Sequence, residues 1–171
     1  MQSKLIEVVD YDPAWPALFA QIAARVEAAF SSSPLICIEH VGSTFVPGLP
    51  AKPVIDIDVV IPSRPALPDA IARLATLGYT HQGDLGISSR EAFRSPAGST
   101  PHNLYVCAED SPELHRHLAF RDYLRAHPDD AECYGENKRG LAARHASDID
   151  GYVNGKTEFV QGVLIKADAG T

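Results

Sequence analysis

The chain is predicted to be an α+β protein: a mixed β-sheet core flanked by helices, followed by a helical C-terminal part. Three observations carry this. Apolar stretches of strand length, 35–41 and 54–61, are bounded by Pro- and Gly-rich turns. Apolar residues at spacings of three and four mark helices before and after them. Beyond Asp110 the chain is polar and helical to its end. With 171 residues, 45% hydrophobic and 22% charged, it has the size and composition of one domain with a substantial core. That domain is expected to be sheet-rich over about 1–110 and helical over about 111–171.

Residues 4–9 form a short extended segment. Asp12-Pro13 reads as cap and first position of a helix, since Asp accepts a free amide hydrogen bond and Pro has no amide to lose. The helix runs through Trp15, Leu18, Phe19, Ile22, Val26 and Phe30 and stops at Ser31-Ser32-Ser33-Pro34. Residues 35–41 and 54–61 are strands. The proline-rich stretch 44–53 between them cannot be regular for long. Residues 65–77 are helical, with Gly78 as the stop. Three short strands follow at 78–86, 91–95 and 103–107. Helices are expected at 111–126, 129–145 and 149–167.

The formal net charge of −7 argues against broad nucleic-acid binding, which needs clustered Lys and Arg. Cys37, Cys107 and Cys133 have no CxxC spacing and read as reduced thiols of a cytoplasmic protein. The N-terminus does not resemble a signal peptide, and no stretch approaches the ~20 apolar residues of a membrane-spanning helix. A serine-hydrolase elbow, a Walker A loop and a dinucleotide fingerprint are absent from the sequence.

The chemistry is concentrated in residues 39–61. Glu39-His40-Val41-Gly42-Ser43 brings an apolar strand into a Gly-Ser turn. Twelve residues on, Val54-Ile55-Asp56-Ile57-Asp58-Val59-Val60-Ile61 places two aspartates with one isoleucine between them. Strand side chains alternate, so Asp56 and Asp58 face the same side. Two like charges among apolar neighbours are costly unless a cation neutralises them, and a divalent metal is the usual solution. Gly42 permits a tight turn and close approach of a ligand, and Ser43 offers a hydroxyl to phosphate oxygens. The competing reading is an edge strand with solvated aspartates and an ordinary turn.

Gly-Ser followed by Asp-hydrophobic-Asp resembles the signature of the nucleotidyltransferase-fold superfamily. More closely, His40-Val41-Gly42-Ser43-Thr44-x-Val46-Pro47-Gly48-Leu49-x-Ala51-Lys52-Pro53-x-Ile55-Asp56-Ile57 resembles the defining motif of the GrpB family. Tyr11-Asp12-Pro13-x-Trp15-Pro16, Arg90-x-x-Phe93-Arg94, Phe120-Arg121-Asp122-Tyr123-Leu124-Arg125, Tyr134-x-x-x-Lys138 and Tyr152-x-x-x-Lys156 extend the likeness over nearly the full length. The resemblance implies a nucleotidyltransferase-like α+β core with C-terminal helices. It implies a metal-dependent nucleotidyltransferase-like protein that uses a nucleoside triphosphate, or, alternatively, an inactive nucleotide- or phosphate-binding module of the same fold.

In this reading Asp56 and Asp58 are the catalytic pair and hold Mg²⁺ or Mn²⁺. Gly42, Ser43, Lys52, Arg90, Arg94 and Lys138 bind the nucleotide or other phosphorylated small molecule, Arg as a fork and Lys as a point charge. One departure stands out. Active members of the superfamily carry a third carboxylate on a later strand, where this chain has Tyr105; Glu39 and Glu109 are the candidates to replace it. Within the GrpB pattern, Asn103 and Tyr105 stand in for two histidines. Tyr134/Lys138 and Tyr152/Lys156 lie four apart and share helix faces, as cleft residues or as packing tyrosines. His40 is expected to be structural. His115 and His117 diverge on a helix and are not expected to form a metal site.

Overall fold

The computed structural model describes residues 5–170. The chain divides into two compact units. One comprises Ala14–Val41 and Val54–His117; the other takes the N-terminal residues through Pro13, Gly42–Pro53 and the chain from Leu118 onward. The last strand ends at Ala108 and the chain is helical from Pro112, while the boundary between the two units falls later, within that helix, and the proline-rich stretch groups with the C-terminal helices.

The first unit is built on a five-stranded mixed sheet. Its strands are β1 (Cys37–Val41), β2 (Ile55–Ile61), β3 (Thr80–His81), β4 (Arg90–Arg94) and β5 (His102–Ala108), in the order β1-β2-β5-β4-β3. β2 and β5 are parallel, and every other pair is antiparallel. Ile55, Ile57, Val59, Ile61, Leu104 and Val106 are almost wholly buried, as expected of central strands. Val26 of α1 (Trp15–Ala29), a helix that contacts β2, and Leu74 of α2 (Leu67–Thr76), which contacts α1, are buried as well. Gly78, at φ +88°, ends the α2 region in the left-handed conformation expected of a glycine stop.

Two expectations are corrected. Helix α1 begins at Trp15 behind Ala14, which makes no side-chain cap, and Pro16 occupies the first turn; Asp12 is not its cap. The strand expected over 78–86 shrinks to Thr80–His81; Gln82 and Gly83 still bond Ala92 of β4, and beyond them the positive φ of Gly83 and Gly86 turns the chain out of the sheet.

The second unit contains α4 (Pro128–Arg144), α5 (Ile149–Ala169) and, from Leu118, the later part of α3 (Pro112–Ala126). Asp148 caps α5, accepting from the Gly151 amide at 3.0 Å, and that bond lowers its carboxyl pKa. A cluster of Val46, Leu49, Leu124, Ala131, Tyr134 and Val163 anchors the proline-rich stretch among these helices. Val9 and Ala51 exchange backbone hydrogen bonds of 2.9 and 3.0 Å, which pin the same stretch from its other side. Within the predicted segment 4–9 Val9 forms this bridge and Ile6 donates its amide to the Ala146 carbonyl at 2.8 Å; Lys4 lies outside the described residues. Among the described residues no helix is long and apolar enough to cross a membrane.

Candidate functional site

In the sheet unit, strand alternation gives the sheet one apolar and one polar face. The apolar face carries Ile55, Ile57, Val59, Leu104 and Val106, together with His40. The His40 ring stacks on Phe19 of α1 at 4.6 Å, in keeping with a structural histidine. The polar face carries both aspartates. Register aligns Glu39, Asp58 and Tyr105 in one row across β1, β2 and β5, and Val41, Asp56 and Asn103 in the next.

Asn103 donates from Nδ2 to Asp56 Oδ1 at 2.8 Å, which fixes the more exposed carboxylate. Asp58 is fully buried. Its Oδ2 lies 2.7 Å from His117 Nδ1 on α3, and its Oδ1 has no hydrogen-bond partner among the described residues. Burial disfavours a charged His117, but the hydrogen bond to Asp58, the Asp58 charge and that of Glu113 outweigh it and raise its pKa. The Glu113 carboxylate lies one helical turn back, 3.8 Å from Nε2.

Tyr105 sits beside Asp58 in register. Burial, then the Asp56 charge, raise its pKa and keep the phenol neutral. The Arg90 guanidinium lies 4.2 Å over the Tyr105 ring, and Arg90 Nε is buried without a hydrogen-bond partner among the described residues. Arg94, four residues on, is exposed at the end of β4. The two candidate replacement acids differ. Glu39 is in register with Asp58, whereas Glu109 follows β5 and bonds the Ile61 carbonyl through its amide. Among the described residues no group of three or more His, Cys, Asp or Glu is arranged to hold a metal ion. Cys107, on the same face, has its thiol pushed up to about 12 by burial and by Asp58, so it is no nucleophile at neutral pH.

In the helical unit, Gly42 takes φ +73°, a conformation that favours glycine, and starts a short 3-10 turn at Ser43–Phe45. Lys138 of α4 is 2% exposed and donates from Nζ to Ser43 Oγ at 2.8 Å. Two residues selected from sequence, 95 positions apart, thus meet in one unit. Lys138 Nζ also lies 4.6 Å from the Tyr134 ring centroid, and Lys156 Nζ 4.7 Å from that of Tyr152. The shared helix faces are present, and both tyrosines are buried packing residues. Lys52 Nζ stands 5.7 Å from the same Tyr152 centroid. Arg121 and Arg125 lie over the Phe45 ring at 5.1 and 4.2 Å.

Sequence reasoning missed His117. Its partner is 59 residues away, and only its helix-turn spacing from Glu113 marks it locally.

The model for the GrpB protein family matches residues 5–166. The chain belongs to the GrpB family. A UPF0157 protein of Pseudomonas aeruginosa is 41% identical over 170 residues, covering 97% of this chain and 69% of that protein. A UPF0157 protein of Bacillus subtilis is 35% identical over 156 residues, and the chain, 91% of which is matched, spans 45% of its length. The crystal structure of the conserved protein GrpB from Enterococcus faecalis superposes with a TM-score of 0.84 at 33% identity, covering 94% of this chain and 96% of that one. The α+β architecture described above is therefore a GrpB-family architecture.

Proposed function

We propose that this GrpB-family chain binds a nucleoside triphosphate, or a closely related phosphorylated small molecule, with Mg²⁺ or Mn²⁺, and transfers the nucleotidyl group to an acceptor. The observation that carries the reading is Lys138, a buried ammonium 2.8 Å from the Ser43 hydroxyl, next to the positive-φ Gly42. A buried ammonium held at the hydroxyl of a Gly-Ser turn suits phosphate oxygens, because it sets a positive charge beside a hydroxyl and a backbone turn that can both bond an anion.

The carboxylates suit one cation. Asp58 Oδ1 is buried with no hydrogen-bond partner among the described residues, which is an acceptor in want of a positive charge. Asp56 shares its face and is oriented by Asn103. Mg²⁺ is commonly held by one or two carboxylates plus substrate phosphates. When bound, such an ion would neutralise charge on the phosphates. The chain's own residues do the rest. His117 holds Asp58 in one rotamer, Asn103 holds Asp56, Arg90 brings a guanidinium to the same face, and Lys138 with Ser43 would bind phosphate oxygens.

Tyr105 at the third-acid position favours the second reading, binding without transfer. A thermal-shift panel of nucleoside triphosphates with Mg²⁺, Mn²⁺ or chelator decides between them. A ligand at 100 times its Kd adds about 2.7 kcal/mol. A metal-dependent shift lost in Asp56→Ala/Asp58→Ala, accompanied by pyrophosphate release, supports transfer. The same shift with no pyrophosphate leaves binding alone, and the absence of any shift refutes both.

A further inference from the structure

The sheet unit contains a cavity of about 410 Å³ unrelated to the aspartates. It lies on the opposite face of the sheet, since His102 in its wall and Asn103 beside Asp56 are consecutive residues of β5. Arg25 and Gln21, one turn apart on α1, form one side. Tyr79 and His102 contribute buried polar groups, Ser99 and Thr100 add a further polar wall, and Ile22 and Leu77 give an apolar surface.

The charge balance of this cavity is one-sided. No carboxylate lines it, and Arg25 makes no ion pair among the described residues of a chain whose net charge is −7. The inner polar groups are neutral and mutually satisfied. His102 Nδ1 donates to the Thr100 carbonyl at 2.6 Å, so its Nε2 accepts from the Tyr79 hydroxyl at 2.7 Å. Burial raises the Tyr79 pKa, while the Arg25 charge lowers it, so the guanidinium acts electrostatically on this wall. A guanidinium with no internal counter-ion, beside an apolar surface, matches a planar oxyanion carried on a small organic body.

We infer that this cavity is a binding site for a small organic carboxylate, with Arg25 as its anion-binding residue. The site stands independently of nucleotide binding at the aspartates.

Calorimetric titration of the full chain with benzoate and succinate, at fixed ionic strength, tests it, with benzamide and inorganic phosphate as comparison probes. Saturable binding of a carboxylate is expected, with the amide resonances of residues 98–100 shifting. Arg25→Ala should weaken it by at least about tenfold, and Arg25→Lys by less. Arg25 is exposed, so Arg25→Ala should keep the wild-type melting temperature, which is checked alongside. No saturable carboxylate binding, equal binding by Arg25→Ala, benzamide as good as benzoate, or phosphate preferred over both carboxylates would each overturn the inference.

Discussion

Asp58, with no exposed surface, hands one carboxylate oxygen to His117 and leaves the other without a hydrogen-bond partner among the described residues. Removing the imidazole leaves both oxygens buried and unsatisfied. His117→Ala is therefore expected to destabilise the fold by about 1–3 kcal/mol, and Asp58→Asn/His117→Ala by less than the sum of the single changes. Urea denaturation of the four-member cycle measures this; strict additivity would show that the contact contributes nothing.

Lys138→Met keeps the length of a buried stem and removes the charge. Some stability should be lost with the Ser43 bond and the Tyr134 contact, while nucleotide-induced stabilisation disappears altogether. Ser43→Ala should lose ligand response in the same way. A Lys138→Met chain that still responds fully to nucleotide would detach Lys138 from the binding site.

Tyr105→Asp restores an acid in register with Asp58. Mn²⁺ affinity, read from the electron paramagnetic resonance of free Mn²⁺, should rise about tenfold or more over wild type, with Tyr105→Asn giving no gain. Some stability is lost with the Arg90–Tyr105 contact. No gain in Mn²⁺ affinity would mean that the β5 position does not face the cation.

His102 titrates below its ordinary 6.5 because of burial. The unfolded chain thus takes up a proton that the folded chain refuses. Stability is full above about 6.5 and falls as pH drops from there through the folded value, by at most ~1.4 kcal/mol per pH unit. His102→Asn should flatten that slope between pH 8 and pH 5, while costing stability at pH 8 through the lost Tyr79 bond. An unchanged slope would assign the acid sensitivity to other groups.

A Cβ on Gly135 would lie 2.8 Å from Pro50 Cδ and 3.2 Å from Cγ. The proline ring cannot swing aside, so Gly135→Ala should cost about 1–3 kcal/mol despite the better helix propensity of alanine. Thermal melts compare it with Gly162→Ala, where the added methyl meets open space.

Much of the architecture was legible because its signals are local. The apolar β2, the spacing of Ile22 and Val26, and Gly78 each announce an element within a few residues. The failures are also local in origin. Asp12-Pro13 has the chemistry of a helix start, but the chain enters the helix later, at Trp15. The segment after Gly78 has strand composition, yet Gly83 and Gly86 withdraw it from the sheet. In the candidate site, alternation alone put Asp56 and Asp58 on one face. The Ser43–Lys138 bond could be anticipated only as two residue types suited to phosphate, since nothing in a linear pattern encodes a meeting across 95 positions. His117 was judged against His115, its helix neighbour, and its actual partner lay on a strand.

The parallel pairing of β2 with β5 has a consequence for how the chain is made. Asp56 and its register partner Asn103 are 47 residues apart. On a ribosome, β2 emerges well before the strand that completes its second edge. β1 alone can pair with it early, as an antiparallel neighbour. Until β5 follows, one edge of Ile55–Ile61 presents unpaired amides and carbonyls in a run whose residues other than Asp56 and Asp58 are all apolar. Closing that loop sets a high contact order for the central pair. The nascent chain between these two moments is the species most open to chaperone capture and to edge-to-edge association, and both hazards end when β5 docks.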